Sequence, residues 1–287
     1  MAILPSLVTL QDFGGSPALA NNADALMSFN EWARSESMAG RKVTIEITPG
    51  TYRFNHADCQ GFLTGIKHLY MHGYGAVFQN TYNIAQGQSF GSEVAWGWAS
   101  QPMDLYVSGR PIQTVAVGAS GVSLVNPADR LNLRVGDWIM IASVDIQMGG
   151  FPPNFDRFEF TKITSISETG AIGVFPPIRF THRSDFPDDG IGKARISKMD
   201  RADGLAPWDV SHTYEGLEIR NSPTIDTIYI PMMGRHIRYV NAILPGVSPT
   251  MAQRVEIVGG EVIDESEPDK LVENFSCERV TFHKRIP

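Results

Sequence analysis

The chain has 287 residues, 43% of them hydrophobic and 10% aromatic, with 24 Lys plus Arg against 31 Asp plus Glu, a formal charge of −7. That is enough apolar surface for a continuous core, so a disordered chain is excluded. Scattered cations under a net negative charge exclude a protein that works by neutralising nucleic-acid phosphates.

No run reaches the ~18 apolar residues needed to cross a bilayer. The start Met1-Ala2-Ile3-Leu4-Pro5 has neither a basic n-region nor an apolar h-region, so the expectation is synthesis in the cytosol without a secretory signal. Cys59 and Cys277 are the only cysteines. They read as two reduced, mostly buried thiols, with an intermolecular bridge as the alternative.

Leu7-Val8-Thr9-Leu10 reads as a strand running into Asp12-Phe13-Gly14-Gly15 and a polar turn. A helix comes next: Asn21 caps it with Asp24 three positions on, Leu26, Phe29, Trp32 and Ala33 recur at helical spacing, and Gly40 ends it. Val43-Thr44-Ile45-Glu46-Ile47 then alternates, and Pro49-Gly50-Thr51-Tyr52 turns into a return strand. A single amphipathic helix followed by strands suits a parallel β-helix, whose first coil otherwise exposes both an apolar interior and an open edge.

Lys67-His68-Leu69-Tyr70-Met71-His72 also alternates. On a strand its two histidines share a face about 13 Å apart, too far for one metal ion. Excursions at 85–103, with Trp96 and Trp98, at 145–160 and at 175–210 interrupt the pattern. Loops of that length are functional or interface-forming. Asp188-Asp189-Gly190-Ile191-Gly192-Lys193 has neither calcium-loop nor phosphate-loop spacing and reads as a surface turn.

Asp200, Asp203, Asp209 and Glu215 cluster around Trp208 and Tyr214. Aromatic faces stack on pyranose rings and carboxylates bind hydroxyls, so Trp96, Trp98, Asp203, Trp208, Asp209 and Tyr214 are the candidate carbohydrate contacts. The competing reading packs Trp208 where the loop returns to the coil, and gives Trp96 and Trp98 to a subunit contact.

Leu217-Glu218-Ile219, Ile237-Arg238-Tyr239, Val255-Glu256-Ile257 and Val280-Thr281-Phe282 alternate, starting 20, 18 and 25 residues apart, intervals that fit one coil each. That alignment stacks Glu218, Arg238 and Glu256 about 4.8 Å apart as a structural charge ladder. The two glutamates would then be about 9.6 Å apart, as in an inverting glycosidase, but the intervening arginine holds both ionised. His182, His212, His236 and His283 stand alone in sequence and read as solvated or hydrogen-bonded. No residue pattern calls for a metal or a cofactor.

The predicted fold is all-β: a right-handed parallel β-helix, or solenoid, with an N-terminal capping α-helix and long loop excursions. Residues 1–55 form the cap and first coil, 56–210 irregular coils with loop insertions, and 211–287 regular coils that end without a visible cap. A bare end is an aggregation template, so the expectation is further chain or a partner subunit over it.

Asp12-Phe13-Gly14, the helix around Ala25 to Arg34, and Ile47-Thr48-Pro49-Gly50-Thr51-Tyr52 resemble the opening of the pectate-lyase-like β-helix superfamily as found in bacteriophage tailspikes. Leu133-Arg134-Val135-Gly136-Asp137-Trp138-Ile139 resembles a further strand of those proteins. The resemblance covers roughly the first 55 residues and implies fold more than chemistry, since the superfamily hosts lyases, hydrolases and inert scaffolds.

It implies a virion component, tailspike-like or tail-fibre-like, acting as a homotrimer attached to other tail proteins and contacting host surface polysaccharide. The alternative is a polysaccharide lyase or glycoside hydrolase on the same scaffold. No catalytic residue transfers by position.

Overall fold

The first strand, β1 (Ser6–Thr9), ends where Thr9 donates its backbone N–H and its hydroxyl to the Asp12 carboxylate, closing a 3-10 turn before Gly14 at φ +85°. The structure is a computed structural model that describes residues 6–54, 63, 65–81, 109–143, 157–185, 193–199, 208–220, 230–244, 247–262 and 277–283. The chain divides into two units, 1–100 with 205–287 and 101–204.

Helix α1 (Ala23–Met38) buries Leu26, Phe29, Asn30, Ala33 and Ser37, one face at helical spacing. Asn22 rather than Asn21 occupies its N-cap position, and its buried amide ties Ser16 N–H to the Arg53 carbonyl. Phe13 packs on Phe29 and Trp32, with ring centres 5.5 and 5.6 Å away.

After α1 the chain runs through β2 (Val43–Glu46), β3 (Gly50–Phe54), β4 (His68–His72) and β5 (Ala76–Asn80). It then enters the second unit with β6 (Arg110–Pro111), β7 (Gly121–Ser123), β8 (Trp138–Ser143), β9 (Arg157–Ile166), β10 (Ala171–Phe175) and β11 (Arg195–Lys198). It returns through β12 (Ser211–Glu215), β13 (Glu218–Arg220), β14 (Ile230–Val240), β15 (Ile243–Leu244), β16 (Val247–Val258), β17 (Glu261–Val262) and β18 (Cys277–His283).

In the first unit the strands stack parallel in two sheets, ordered β1-β2-β4-β12-β14-β16-β18 and β3-β5-β13-β15-β17. Each coil therefore adds one strand to the large sheet and, after a corner, one to the small sheet. Ile45, Met71, Tyr214, Tyr239 and Ile257 occupy one register row of the large sheet and share one core with Tyr52, Phe78, Ile219 and Leu244 of the small one. The Tyr214 and Tyr239 rings stack with centres 4.9 Å apart. α1 joins this core through Leu26, Phe29 and Ala33, and Ser37 accepts the Lys67 N–H.

Within 56–210, where the sequence predicts irregular β-helix coils with loop insertions, β4 and β5 are parallel rungs but the second unit is not. Between 109 and 199 the strands form an antiparallel sheet, β6-β11-β8-β9-β10-β7, around Ile112, Val122, Ile139, Ile141, Ile163, Ile172, Val174 and Ile196. The segment Leu133–Ile139 belongs to it, with Gly136 at φ +96° turning the chain into β8. Alternation predicts strands but not their direction, because a period of two is common to parallel and antiparallel pairing. The two rungs on either side of the insertion, β4 and β12, are direct neighbours in register.

Candidate functional site

The expected carbohydrate contacts divide in the structure. Trp208 and Tyr214 are fully buried and present no ring face to solvent. Tyr214 sits in the coil interior, where its hydroxyl meets Nδ1 of buried His212 at 3.1 Å. Asp209 is half-exposed and pairs with Arg235 at 2.8 Å. Trp96, Trp98, Asp203 and Cys59 lie outside the described residues.

The charge ladder is corrected in one member. Glu218 belongs to the small sheet, opposite Val77 and Ile243, and pairs locally with Arg220. Leu217 follows the corner at Gly216. The residue that faces Ile237 in register is therefore His212, and Thr213, not Glu218, lies beside Arg238. Arg238 does oppose Glu256.

What the outward face of the large sheet carries instead is an exposed aromatic row along β4 and its corner. Leu69 and Met71 point inward, so His68, Tyr70 and His72 point out. The rings of Tyr70 and His72 stack at 6.3 Å, and His72 meets Tyr74 edge-on at 5.2 Å. Glu215, in register with His72 on the next rung, accepts hydrogen bonds from both Tyr70 and Tyr74. Asn241, left-handed at φ +50°, donates its amide N–H to the Tyr74 hydroxyl at 2.8 Å.

The hydrogen bond from Tyr70 holds the Glu215 carboxyl below the usual carboxylate range. The same bond pushes the Tyr70 phenol up to about 12. One ionised carboxylate thus fixes two tyrosine rings that remain partly open to solvent, Tyr70 at 37% and Tyr74 at 46%. The alternation of this strand is legible in the sequence, but there the histidines draw attention as metal ligands and the tyrosines do not. The available signal is an outward set made of Tyr, His and Tyr rather than of charged residues.

Two rungs beyond Glu215, Glu256 is 8% exposed and meets three basic side chains: His236 Nε2 at 2.9 Å, Arg238 Nε at 3.7 Å, and the Arg254 guanidinium. Burial pushes its carboxyl up, yet the His236 hydrogen bond and the Arg254 charge bring it below the ordinary value.

The antiparallel unit holds a separate buried trio. Glu159 accepts from His182 Nε2 at 2.9 Å and from the Arg179 and Phe180 backbone N–H groups, and His182 Nδ1 meets the Ser143 hydroxyl at 2.8 Å. All three side chains are essentially inaccessible. A nucleophile needs access to its substrate, so the trio is assigned to holding β8 and β9 to the 179–182 segment. Among the described residues no group of His, Cys, Asp and Glu is arranged to hold a metal ion.

Stacked parallel rungs, a helix packed on the first of them, and an outward aromatic face define a parallel β-coil protein with one antiparallel insertion. No family model and no curated protein matches the sequence. Among solved structures the chain is similar to the "Gp54 tailspike of Acinetobacter baumannii bacteriophage AP22 in complex with A. baumannii capsular saccharide". The TM-score is 0.54 at 11% identity, over 96% of this chain and 41% of that one. It is also similar to the tailspike protein gp49 from Pseudomonas phage LKA1, with a TM-score of 0.44 at 14% identity, over 90% of this chain and 43% of that one. The chain thus spans less than half the length of either tailspike.

Proposed function

We propose that this chain is a bacteriophage tailspike-like virion component that binds host surface polysaccharide on the outward face of its large sheet. The observation that carries the reading is the Tyr70–His72–Tyr74 row fixed by Glu215 and Asn241. Preorganised aromatic faces beside a polar acceptor suit a pyranose, which has apolar faces and a hydroxyl rim. The fold likeness to a tailspike in complex with a capsular saccharide supports the setting. The coil is right-handed, as parallel crossover connections nearly always are. The assembly is a homotrimer attached to other tail proteins.

Adsorption of the purified chain to encapsulated host cells tests this, with soluble capsular polysaccharide as competitor. Tyr74→Ala and Tyr70→Ala should each weaken binding roughly twofold to tenfold, at about 0.5–1.5 kcal/mol per stacking contact. Unchanged adsorption in both variants, with the fold intact, overturns the assignment of the face. Light scattering that gives a strict monomer at high concentration overturns the trimer.

A second reading, cleavage of the bound glycan, has one observation in its favour. Glu46 and Glu215 flank His72 on consecutive rungs, which sets two carboxylates about 9.6 Å apart, near the spacing of an inverting glycosidase. Glu215, held ionised, fits the base. New reducing ends are the product to look for, and none from the host's own polysaccharide ends this reading.

A further inference from the structure

Two outward rows run across the rungs and cross β4 at His68 and Tyr70. The first is His68, Ser211, His236 and Arg254 in consecutive register, and the second is Tyr70, Thr213, Arg238, Glu256 and Thr281. Exposed Lys42 stands one residue before Val43, which pairs with Leu69, so it extends the first row at its N-terminal end. Cations crowd there: beyond the effect of burial, Lys42 and Lys67 hold the His68 imidazole below its ordinary value, with Asp209 opposing them.

Around Glu256 one carboxylate faces two guanidiniums, Arg238 and Arg254, with the His236 imidazole beside them. Arg238 is the least satisfied of these. Its buried Nε has no hydrogen-bond partner, and the Glu256 oxygen 3.7 Å away is beyond bonding reach. The Arg238 side chain is nonetheless 44% exposed, and the outer N–H groups of its guanidinium can fork onto a second carboxylate.

We infer that the polysaccharide recognised on this face is an acidic one, lying along the stacking axis with sugar carboxylates on Lys42, Arg238 and Arg254. The inference rests on the glycan-binding reading above and adds the substrate class. Rungs repeat every 4.8 Å or so, comparable with the length of one pyranose unit, so sugars over the β2, β14 and β16 rungs bring their carboxylates to Lys42, Arg238 and Arg254. The aromatic row, which runs along β4, then takes the ring face of the sugar that crosses that rung, and the cations on the other rungs take the charge.

The test is equilibrium binding of the full chain to polygalacturonate, its carboxyl-reduced counterpart, and dextran, each at low and high sodium chloride. Polygalacturonate should bind and lose about tenfold or more in affinity at high salt, while the reduced polymer and dextran bind at least about tenfold more weakly at low salt. Arg238→Gln and Lys42→Gln should each weaken polygalacturonate about threefold to tenfold, and Lys162→Gln, on the antiparallel unit, should leave it unchanged. Glu256→Gln should tighten it by a similar factor, because it releases cations already in place, a direction that a structural role would not produce.

Equal binding of the acidic and reduced polymers overturns the inference and leaves the glycan reading standing. No polygalacturonate binding at low salt, or wild-type affinity in folded Lys42→Gln and Arg238→Gln, also overturns it. The glycan reading itself stands or falls on the Tyr74→Ala and Tyr70→Ala adsorption measurement. If Arg238→Gln does not fold, Lys42→Gln decides alone, since its side chain is exposed.

Discussion

Tyr74 lies across the backbone of Gly216, so close that a Cβ built at 216 would stand 2.6 Å from the ring's Cγ. Gly216 is also at φ +71°, a conformation that L side chains adopt at a cost of about 1–2 kcal/mol. The corner glycine therefore seats the ring whose hydroxyl reaches Glu215 and Asn241. Gly216→Ala should destabilise the first unit by about 1–3 kcal/mol in urea unfolding and weaken glycan adsorption by displacing Tyr74. Stability within about 0.5 kcal/mol of wild type would show that the ring yields freely and the corner is not what seats it.

Glu215 is expected to act on Tyr70 through its charge as well as its geometry. Replacing it with Gln leaves one acceptor oxygen where two phenols now donate, and removes the negative charge that opposes phenol ionisation. Tyr70 titrates near 12 in the wild type and should fall back toward 10 in Glu215→Gln. Ultraviolet difference titration reads this as one tyrosine moving to lower pH. An unchanged titration curve would mean that the carboxylate does not hold Tyr70.

Much of the first unit is legible in the sequence because its signals are local. Leu26, Phe29 and Ala33 mark the buried face of the helix, and Val43 to Ile47 marks the first full rung. The charge ladder read from periodicity falls one element late, because a corner leaves little trace in the hydrophobic pattern. Glu215-Gly216-Leu217 reads equally well as the middle of a strand, and only the pairing of His212 with Ile237 fixes which segment belongs to which sheet.

Trp208 and Tyr214 suggest sugar contacts by composition, which does not distinguish inward from outward. The alternation His212-in, Thr213-out, Tyr214-in decides it. The antiparallel insertion is hidden in the sequence because alternation such as that of Ala171–Phe175 does not tell pairing direction, and Trp138–Ser143 is buried on both faces and hardly alternates.

His212 adds a pH dependence that arises from its position inside the coil. Its Nε2 is 2.6 Å from the Ile66 carbonyl and its Nδ1 accepts from Tyr214, so the neutral ring is the one that fits. Burial lowers its pKa from 6.5 to about 4. The unfolded chain therefore binds the proton first, so this contribution is complete above about pH 6.5 and shrinks as pH falls toward 4. At about 1.36 kcal/mol per pH unit the loss is about 3 kcal/mol. The comparison that isolates it is denaturant unfolding of wild type and His212→Leu across that window. The variant should be weaker by about 1–3 kcal/mol at neutral pH, with Ile66 and Tyr214 left unpaired, and the difference should narrow in acid. A constant difference at every pH would remove His212 as the cause.

The trio of the second unit should respond in a different order of severity. Glu159 is acceptor to three donors at once: the Arg179 and Phe180 backbone N–H groups and His182. Burial pushes its carboxyl up, but those three bonds hold it below 4.5. Its stabilisation is therefore present above pH 4.5 and is lost as pH falls through the lower folded value. Glu159→Gln turns an NH2 group toward a donor and removes the charge that draws the others in, which should cost about 2–4 kcal/mol. Ser143→Ala removes one bond to an imidazole nitrogen and should cost about 1 kcal/mol. Hydrogen exchange on β8 and β9 reports the two losses within this unit. Because Ser143 serves packing here, Ser143→Ala should leave every glycan-directed measurement at its wild-type value, and a loss of activity without a loss of stability would move the trio from scaffold to chemistry.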